Sequence, residues 1–266
     1  MIASPQSADG NRLDDGSGDT IQALVRGLQV IRAFDARHQR MTLTEVAGET
    51  GLTRATARRC LLTLHQLGYV SWDGKYFGLT PKILTLGYAY LSSTSLPTIV
   101  QPALVHLSQQ TGASCSACIL DSTEAVIVAR ASPQRFNSTD LGVGSRLPLY
   151  CTSLGHVLLA ELSDEQFEAY LDQTPLVSHT AATLTQAEDV RAAVRLAGTQ
   201  GFAINAEGLE TGLRSISVPL RNTLGHVVAA MSATVPVSVA SEQEMQDRLL
   251  PVLRSQATLL QQMLTA

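Results

Sequence analysis

The stretch from Thr42 to Thr80, TLTEVAGETGLTRATARRCLLTLHQLGYVSWDGKYFGLT, leaves few folds open. It reads as a short helix, a glycine turn, a longer helix, a strand, a tight turn and a strand. Thr44 is placed to cap the first helix, and Gly51 supplies the left-handed residue that ends it. Thr53 caps the second, whose apolar positions Ala57, Leu61, Leu64 and Leu67 recur at helical spacing. Upstream, Leu24, Leu28, Ile31 and Phe34 form the inward stripe of one more helix. Downstream, Asp73-Gly74 between alternating apolar residues marks a two-residue hairpin turn with positive φ at both central positions. Three helices followed by a hairpin make a winged helix-turn-helix.

Such a unit lodges its second helix in the major groove of DNA. With Ala57, Leu61 and Leu64 turned inward, Arg54, Thr56 and Arg58 occupy an outer face and Arg59 its edge. Arginine pairs bidentately with guanine, and threonine offers a methyl to thymine or a hydroxyl to phosphate. Thr44 and Thr53, at the two helix starts, complete the DNA-facing set, and Lys75 at the wing tip has the reach for phosphate or the minor groove. The plainer alternative is a helix pair with a solvated basic face, or an adaptor that never contacts DNA. Charge distribution weighs against both. Residues 21–93 carry nine Lys/Arg against four Asp/Glu, a net +5, whereas residues 94–266 carry nine against fifteen, a net −6. A basic segment joined to an acidic one places nucleic acid on one side only.

At 266 residues the chain exceeds the usual single domain, so two are expected. Residues 1–19, rich in Gly, Ser and Asp and without periodicity, read as a disordered tail. The winged helix-turn-helix spans 20–80, and a linker helix opening at Pro81 spans 81–95. Residues 96–266 then mix helices near 97–111, 153–161, 163–171, 186–200 and 241–264 with mostly antiparallel strands near 114–120, 124–130, 202–206, 213–220 and 225–234. The fold class is α+β. No leader and no membrane-spanning apolar run is visible, which points to the cytoplasm. Four cysteines make no disulfide framework, and Cys115 and Cys118, three apart in a strand, should face opposite ways and share no metal. No cofactor is implied.

The run LPLYCTSLGHVLLAEL, residues 147–162, admits two chemistries. Cys151 or Ser153 could be a nucleophile with His156 as its base, a hydrolase-like arrangement that lacks a visible orienting group. Alternatively Thr152 or Ser153 caps a helix whose free amides attract an anion, with Gly155 removing steric cover and Leu147, Leu149 and Tyr150 as apolar walls. A well-capped core helix without a ligand is the third reading. Farther along, Leu213, Ser215 and Ser217 alternate on one strand face, and Ser232 and Thr234 on another. Hydroxyls on faces that should point inward favour a polar-lined cavity.

Three blocks, TLTEVAGETGLTRATARRCLLTLHQLGYV, GSRLPLYCTSLGHVLLA and GLRSISVPLRNTLGHVVAAMSATVP, in this order and spacing, resemble the IclR family of bacterial transcriptional regulators. The resemblance runs from about Ile21 to Leu264. Together with LTPKILTLGYAYLSS it is nearest to the branch controlling aromatic-acid breakdown through the β-ketoadipate pathway, which responds to 4-hydroxybenzoate, protocatechuate or β-ketoadipate. It implies a GAF-like effector domain, a homodimer formed through the DNA-binding half and linker helix or a homotetramer, an operator in double-stranded DNA, and a small carboxylate effector. Carried over by position, it implies a pocket of Phe136, Thr139, Leu147, Ser153, Leu154, Asn205, Leu213, Ser215, Ser232 and Thr234. Tyr150, Cys151 and Thr152 join it from the helix-start reading. Better-known members differ at two of these positions, with an acidic residue for Asn205 and a cysteine for Ser215.

Overall fold

The computed structural model describes residues 20–35, 37–133 and 141–264. The expected tail and the loop positions Phe136 and Thr139 lie outside the described residues. In the N-terminal unit, α1 (Gln22–Arg32), α2 (Leu43–Thr50) and α3 (Arg54–Gln66) pack around Val30, Val46, Ala57, Leu61 and Leu64. Strands β1 (Met41–Thr42), β2 (Val70–Trp72) and β3 (Tyr76–Leu79) form an antiparallel sheet in the order β1-β3-β2. With only two residues, β1 is too short to show a strand period.

Three local expectations need correction. Thr42, not Thr44, caps α2: its hydroxyl accepts from the Glu45 amide while the Glu45 carboxylate accepts from the Thr42 amide at 2.7 Å, a reciprocal capping box. Thr44 is an exposed residue of the first turn. In the hairpin, the Asp73 amide bonds to the Tyr76 carbonyl at 3.2 Å, so the central residues are Gly74 and Lys75, and of these only Gly74 has positive φ, +101°. The Asp73 carboxylate takes the Lys75 and Tyr76 amides instead of entering the turn itself. On α1 the helical period holds, but Leu24 and Leu28 are 61% and 48% exposed, and Val30 is the fully buried residue.

Thr80 caps a single 3₁₀ turn, Pro81–Ile83, which runs into α4 (Leu84–Ser93). The chain divides into two compact units within α4, between Tyr88 and Ala89. The second unit opens with α5 (Leu96–Thr111) and is built on one antiparallel sheet. Its strands are β4 (Ser114–Asp121), β5 (Glu124–Ala131), β6 (Arg146–Pro148), β7 (Ala203–Ala206), β8 (Leu213–Arg221) and β9 (Val227–Pro236), ordered β6-β5-β4-β9-β8-β7.

Each sheet face has its own core. One is covered by α5 and by the C-terminal helical segment, which runs as α9 (Glu242–Glu244), a π turn (Met245–Leu249) and α10 (Leu250–Gln261). The uninterrupted helix expected there is widened just before Pro251, which has no amide to donate and crowds the preceding turn. The other face is covered by α6 (Ser153–Leu159), α7 (Asp164–Gln173) and α8 (Ala187–Gln200). Cys115 belongs to the first core and Cys118 to the second, so the two thiols face opposite ways. Among the described residues no helix is long and apolar enough to cross a membrane.

Candidate functional site

The N-terminal unit carries a cationic surface on α3 and the hairpin. Arg54, Arg58 and Arg59 are exposed, with no carboxylate partner among the described residues. The Thr53 hydroxyl accepts from the Thr56 amide at 3.3 Å and donates to the Thr56 hydroxyl at 3.0 Å. The Thr53 hydroxyl is therefore spent on the cap, whereas the Thr56 hydroxyl, an acceptor there, keeps its proton to donate. The Lys75 ammonium lies 4.9 Å from the Tyr76 ring centroid, and the Arg40 guanidinium lies over the same ring at 5.2 Å while pairing with Asp73. Arg40 is a wing cation that no helical or strand pattern singles out.

In the second unit the sheet register explains where polar groups collect. Paired residues on antiparallel strands share a face. Ser114, Thr234, Ser215 and Asn205 form one row across β4, β9, β8 and β7, and Arg130, Ser116, Ser232 and Ser217 form the next across β5, β4, β9 and β8. Two strand positions on, the same face turns apolar with Cys118 and Ala230. Helix α6 lies over the boundary, and Ser153, 1% exposed, donates to Ser215 at 2.8 Å and meets the Ser217 hydroxyl at 2.7 Å.

A cavity of about 90 Å³ opens at the polar end. Leu147, Cys151, Thr152, Ser153, Leu154, Asn205, Leu213, Ser215, Ser232 and Thr234 all line it. Tyr150 does not: its hydroxyl donates to the Val177 carbonyl at 2.6 Å and meets His179 Nε2 at 2.9 Å, away from the lining. Burial and the neighbouring Cys151 push the Tyr150 phenol up to about 12, against the lowering effect of the Val177 carbonyl. Leu149 is packed in the core, also outside the lining.

The remaining wall, Leu141 and the segment from Glu207 to Glu210, carries no helical or strand period and is missed by pattern reading. Glu207 adopts φ +59°, and its carbonyl takes the Thr180 hydroxyl at 2.6 Å. The Gly208 carbonyl takes the Thr183 hydroxyl at 2.7 Å, and its amide donates to Asn205 Oδ1 at 3.0 Å. A Cβ on Gly208 would lie 2.5 Å from that Asn205 oxygen and 2.7 Å from the Cys151 carbonyl oxygen, so glycine lets the wall close. Asn205 thus holds the wall as well as lining the cavity.

The start of α6 answers the question of nucleophile or cradle only in part. Thr152 is the cap, accepting from the Gly155 amide at 3.1 Å. Gly155 does not uncover an anion site: a Cβ there would lie 2.0 Å from the Leu149 carbonyl oxygen, so its bare backbone makes room for the chain itself. His156 is buried, its Nε2 bonds to the Tyr150 carbonyl at 2.8 Å, and burial holds its pKa below the usual imidazole range. Burial pushes the Cys151 thiol up to about 12. A protonated thiol, a serine engaged by two other serines and a histidine committed to a backbone carbonyl do not make an activated nucleophile.

Comparison with known proteins agrees with this geometry. The family model for the IclR helix-turn-helix domain matches residues 23–74, and that for the bacterial transcriptional regulator IclR C-terminal domain matches residues 88–261. The chain belongs to the IclR family of transcriptional regulators. It is 40% identical to the Pca regulon regulatory protein of Pseudomonas putida, over 90% of this chain and 82% of that protein. A transcriptional regulator from Rhodococcus sp. RHA1 superposes with a TM-score of 0.81 at 44% identity, over 91% of this chain and 97% of that one. The inducer-binding domain of an Acinetobacter PobR transcription factor, a double mutant in complex with 3-hydroxybenzoic acid, superposes with a TM-score of 0.60 at 30% identity, over 63% of this chain and 98% of that one.

Proposed function

We propose that this regulator binds operator DNA in the cytoplasm through Arg54, Thr56, Arg58, Arg59, Lys75 and Arg40, and that its second unit senses a small carboxylate from aromatic-acid catabolism. It carries out no catalysis. The observation that carries the sensor reading is the cavity itself, where hydroxyls from two strands and α6 meet leucine walls. A relative's inducer-binding domain with 3-hydroxybenzoic acid bound supports an aromatic acid as the ligand class. Residues 20–80 read DNA, 81–95 link and 96–266 sense. The effector favours one arrangement of the protein to the extent that it binds that arrangement more tightly.

Thermal unfolding against 4-hydroxybenzoate, protocatechuate, β-ketoadipate and a phenol without a carboxylate tests the sensor. An acid present at a hundred times its dissociation constant adds about 2.7 kcal/mol to the unit that binds it. A rise with one acid, lost in Ser153→Ala and Ser215→Ala, is the expected result, and no rise with any acid overturns the reading. For the DNA half, Arg54→Ala and Arg58→Ala should each weaken operator binding and reduce the slope of log K against log salt by about one. An unchanged slope would take α3 out of the interface.

A further inference from the structure

The protons of the hydroxyls beside α6 have a fixed order. Ser153 has one proton and gives it to Ser215 at 2.8 Å, so its 2.7 Å contact with Ser217 requires the Ser217 hydroxyl to be the donor. The chain therefore runs from Ser217 to Ser153 to Ser215. Ser217 is fully buried and stands outside the cavity lining, whereas Ser215 is part of it. Because Ser153 donates to it, Ser215 cannot give its own proton back, and among the described residues that proton has no other acceptor. Asn205, the register partner of Ser215 on β7, repeats the pattern. Its Oδ1 accepts the Gly208 amide at 3.0 Å; a flipped carboxamide would face that N–H with one of its own. Nδ2 is thus left to donate elsewhere, and it has no hydrogen-bond partner among the described residues. Two adjacent groups of the lining therefore each have an oxygen already accepting and protons left to give. Ser232 and Thr234 also line the cavity, but a hydroxyl engaged by nothing turns either way and does not choose between ligand groups. The carboxyls of the lining, Glu207 and Glu210, stand on the aperiodic wall, and Glu207 takes the Gly212 amide at 2.7 Å.

We propose that Ser215 and Asn205 together receive the carboxylate of the effector, and that Ser217 is the positioning residue that aims the Ser215 proton at it. This inference rests on the sensor reading above. A carboxylate only accepts, and its two oxygens suit two donors placed side by side. A phenolic hydroxyl brings one more proton to a place already supplied with them. Hydrogen bonds to an ionised acceptor are roughly twice as strong as neutral ones, and a buried chain of hydroxyls polarised in one direction strengthens its last donor. Without the Ser217 proton, Ser153 accepts from Ser215 as readily as it donates, and the Ser215 proton is drawn back from the cavity. The body of the effector then lies against Leu147, Leu154 and Leu213.

The test is calorimetric titration of the full chain with 4-hydroxybenzoate, protocatechuate and β-ketoadipate, comparing wild type with Asn205→Asp, Ser217→Ala and Ser217→Thr. Asn205→Asp keeps an oxygen for the Gly208 amide but replaces the donor with a negative charge. For the acid that binds, it should weaken affinity about a hundredfold or more. Hydrogen exchange of the Gly208 amide in the apo protein, which should stay as slow as in wild type, shows that the wall is intact. Affinity kept in Asn205→Asp overturns the proposal and leaves the sensor reading standing. So does a loss accompanied by a fast Gly208 amide, which assigns Asn205 to the wall alone. Ser217→Ala should weaken the same acid about three- to tenfold. Ser217→Thr, which restores the hydroxyl while adding volume to a fully buried site, should bind like wild type. No loss in Ser217→Ala, or a loss in Ser217→Thr as large as that in Ser217→Ala, overturns the positioning role. No binding of any of the three acids to wild type overturns both this proposal and the sensor reading.

Discussion

Gly155 and Gly48 both lie within helices, yet one added methyl group at each has opposite consequences. At Gly155 a Cβ would stand 2.0 Å from the Leu149 carbonyl oxygen and 2.3 Å from its Cα, and backbone on both sides leaves nothing flexible to give way. Gly155→Ala should therefore destabilise the second unit by about 3 kcal/mol or more, at the upper end of overpacking costs. At Gly48, on the exposed side of α2, nothing lies within 4 Å of the position a Cβ would take, and alanine relieves only the entropic cost of glycine. Gly48→Ala should stabilise the first unit by about 0.5–1 kcal/mol. Urea unfolding of the full chain, with a probe in each unit, measures both. A Gly155→Ala protein as stable as wild type would mean that α6 can lift away from the strand before it.

At the scale of elements, two short devices in the first unit are tied to ionised carboxylates. Hydrogen bonds from the Tyr76 and Lys75 amides hold the Asp73 carboxyl below its usual range, and the Thr42 amide does the same for Glu45. A carboxylate whose pKa falls on folding adds stability above its unfolded pKa, near 4, and loses it as pH drops through the folded value. The hairpin and α2 should accordingly loosen below about pH 4. Asp73→Ala should be less stable than wild type at neutral pH and show a shallower acid limb in a circular-dichroism melt series. The same turn shows which parts of the fold were legible in sequence. The helix-turn-helix, the hairpin and every long helix were, because glycine stops, caps and 3.6-residue periods repeat over many residues. The identity of the cap and the central turn residues was off by one or two positions, since Thr42 and Thr44 both precede the same apolar run. Strands β1 and β6, of two and three residues, are too short for any period. In the cavity, the alternating serines were legible, but the wall from Glu207 to Glu210 was not, because that segment carries no helical or strand period.

For the whole molecule, the misread face of α1 carries the most information. Leu24 and Leu28 follow an inward-looking period, yet they are exposed, as are Leu84, Leu86, Tyr88 and Tyr90 along α4. A single sequence cannot distinguish an apolar stripe meant for its own core from one meant for another copy of the chain, because both obey the same spacing. Single apolar residues on a surface are ordinary, but runs of them along two helices are what association with another copy of the chain would use. The expectation of a homo-oligomer formed through the DNA-binding half and linker helix gives that face its occupant. Leu24→Glu combined with Tyr88→Glu replaces exposed residues and should change the stability of the folded chain by no more than about 0.5 kcal/mol at each site. In sedimentation equilibrium the double variant should shift to a smaller species. Its operator affinity should fall with it, because paired recognition helices reach two half-sites about 34–36 Å apart only when two chains are joined. Circular dichroism and effector titration should remain at wild-type values, separating lost assembly from lost folding. A variant that sediments as wild type would place association in the second unit alone and leave the apolar faces of α1 and α4 without a role in it.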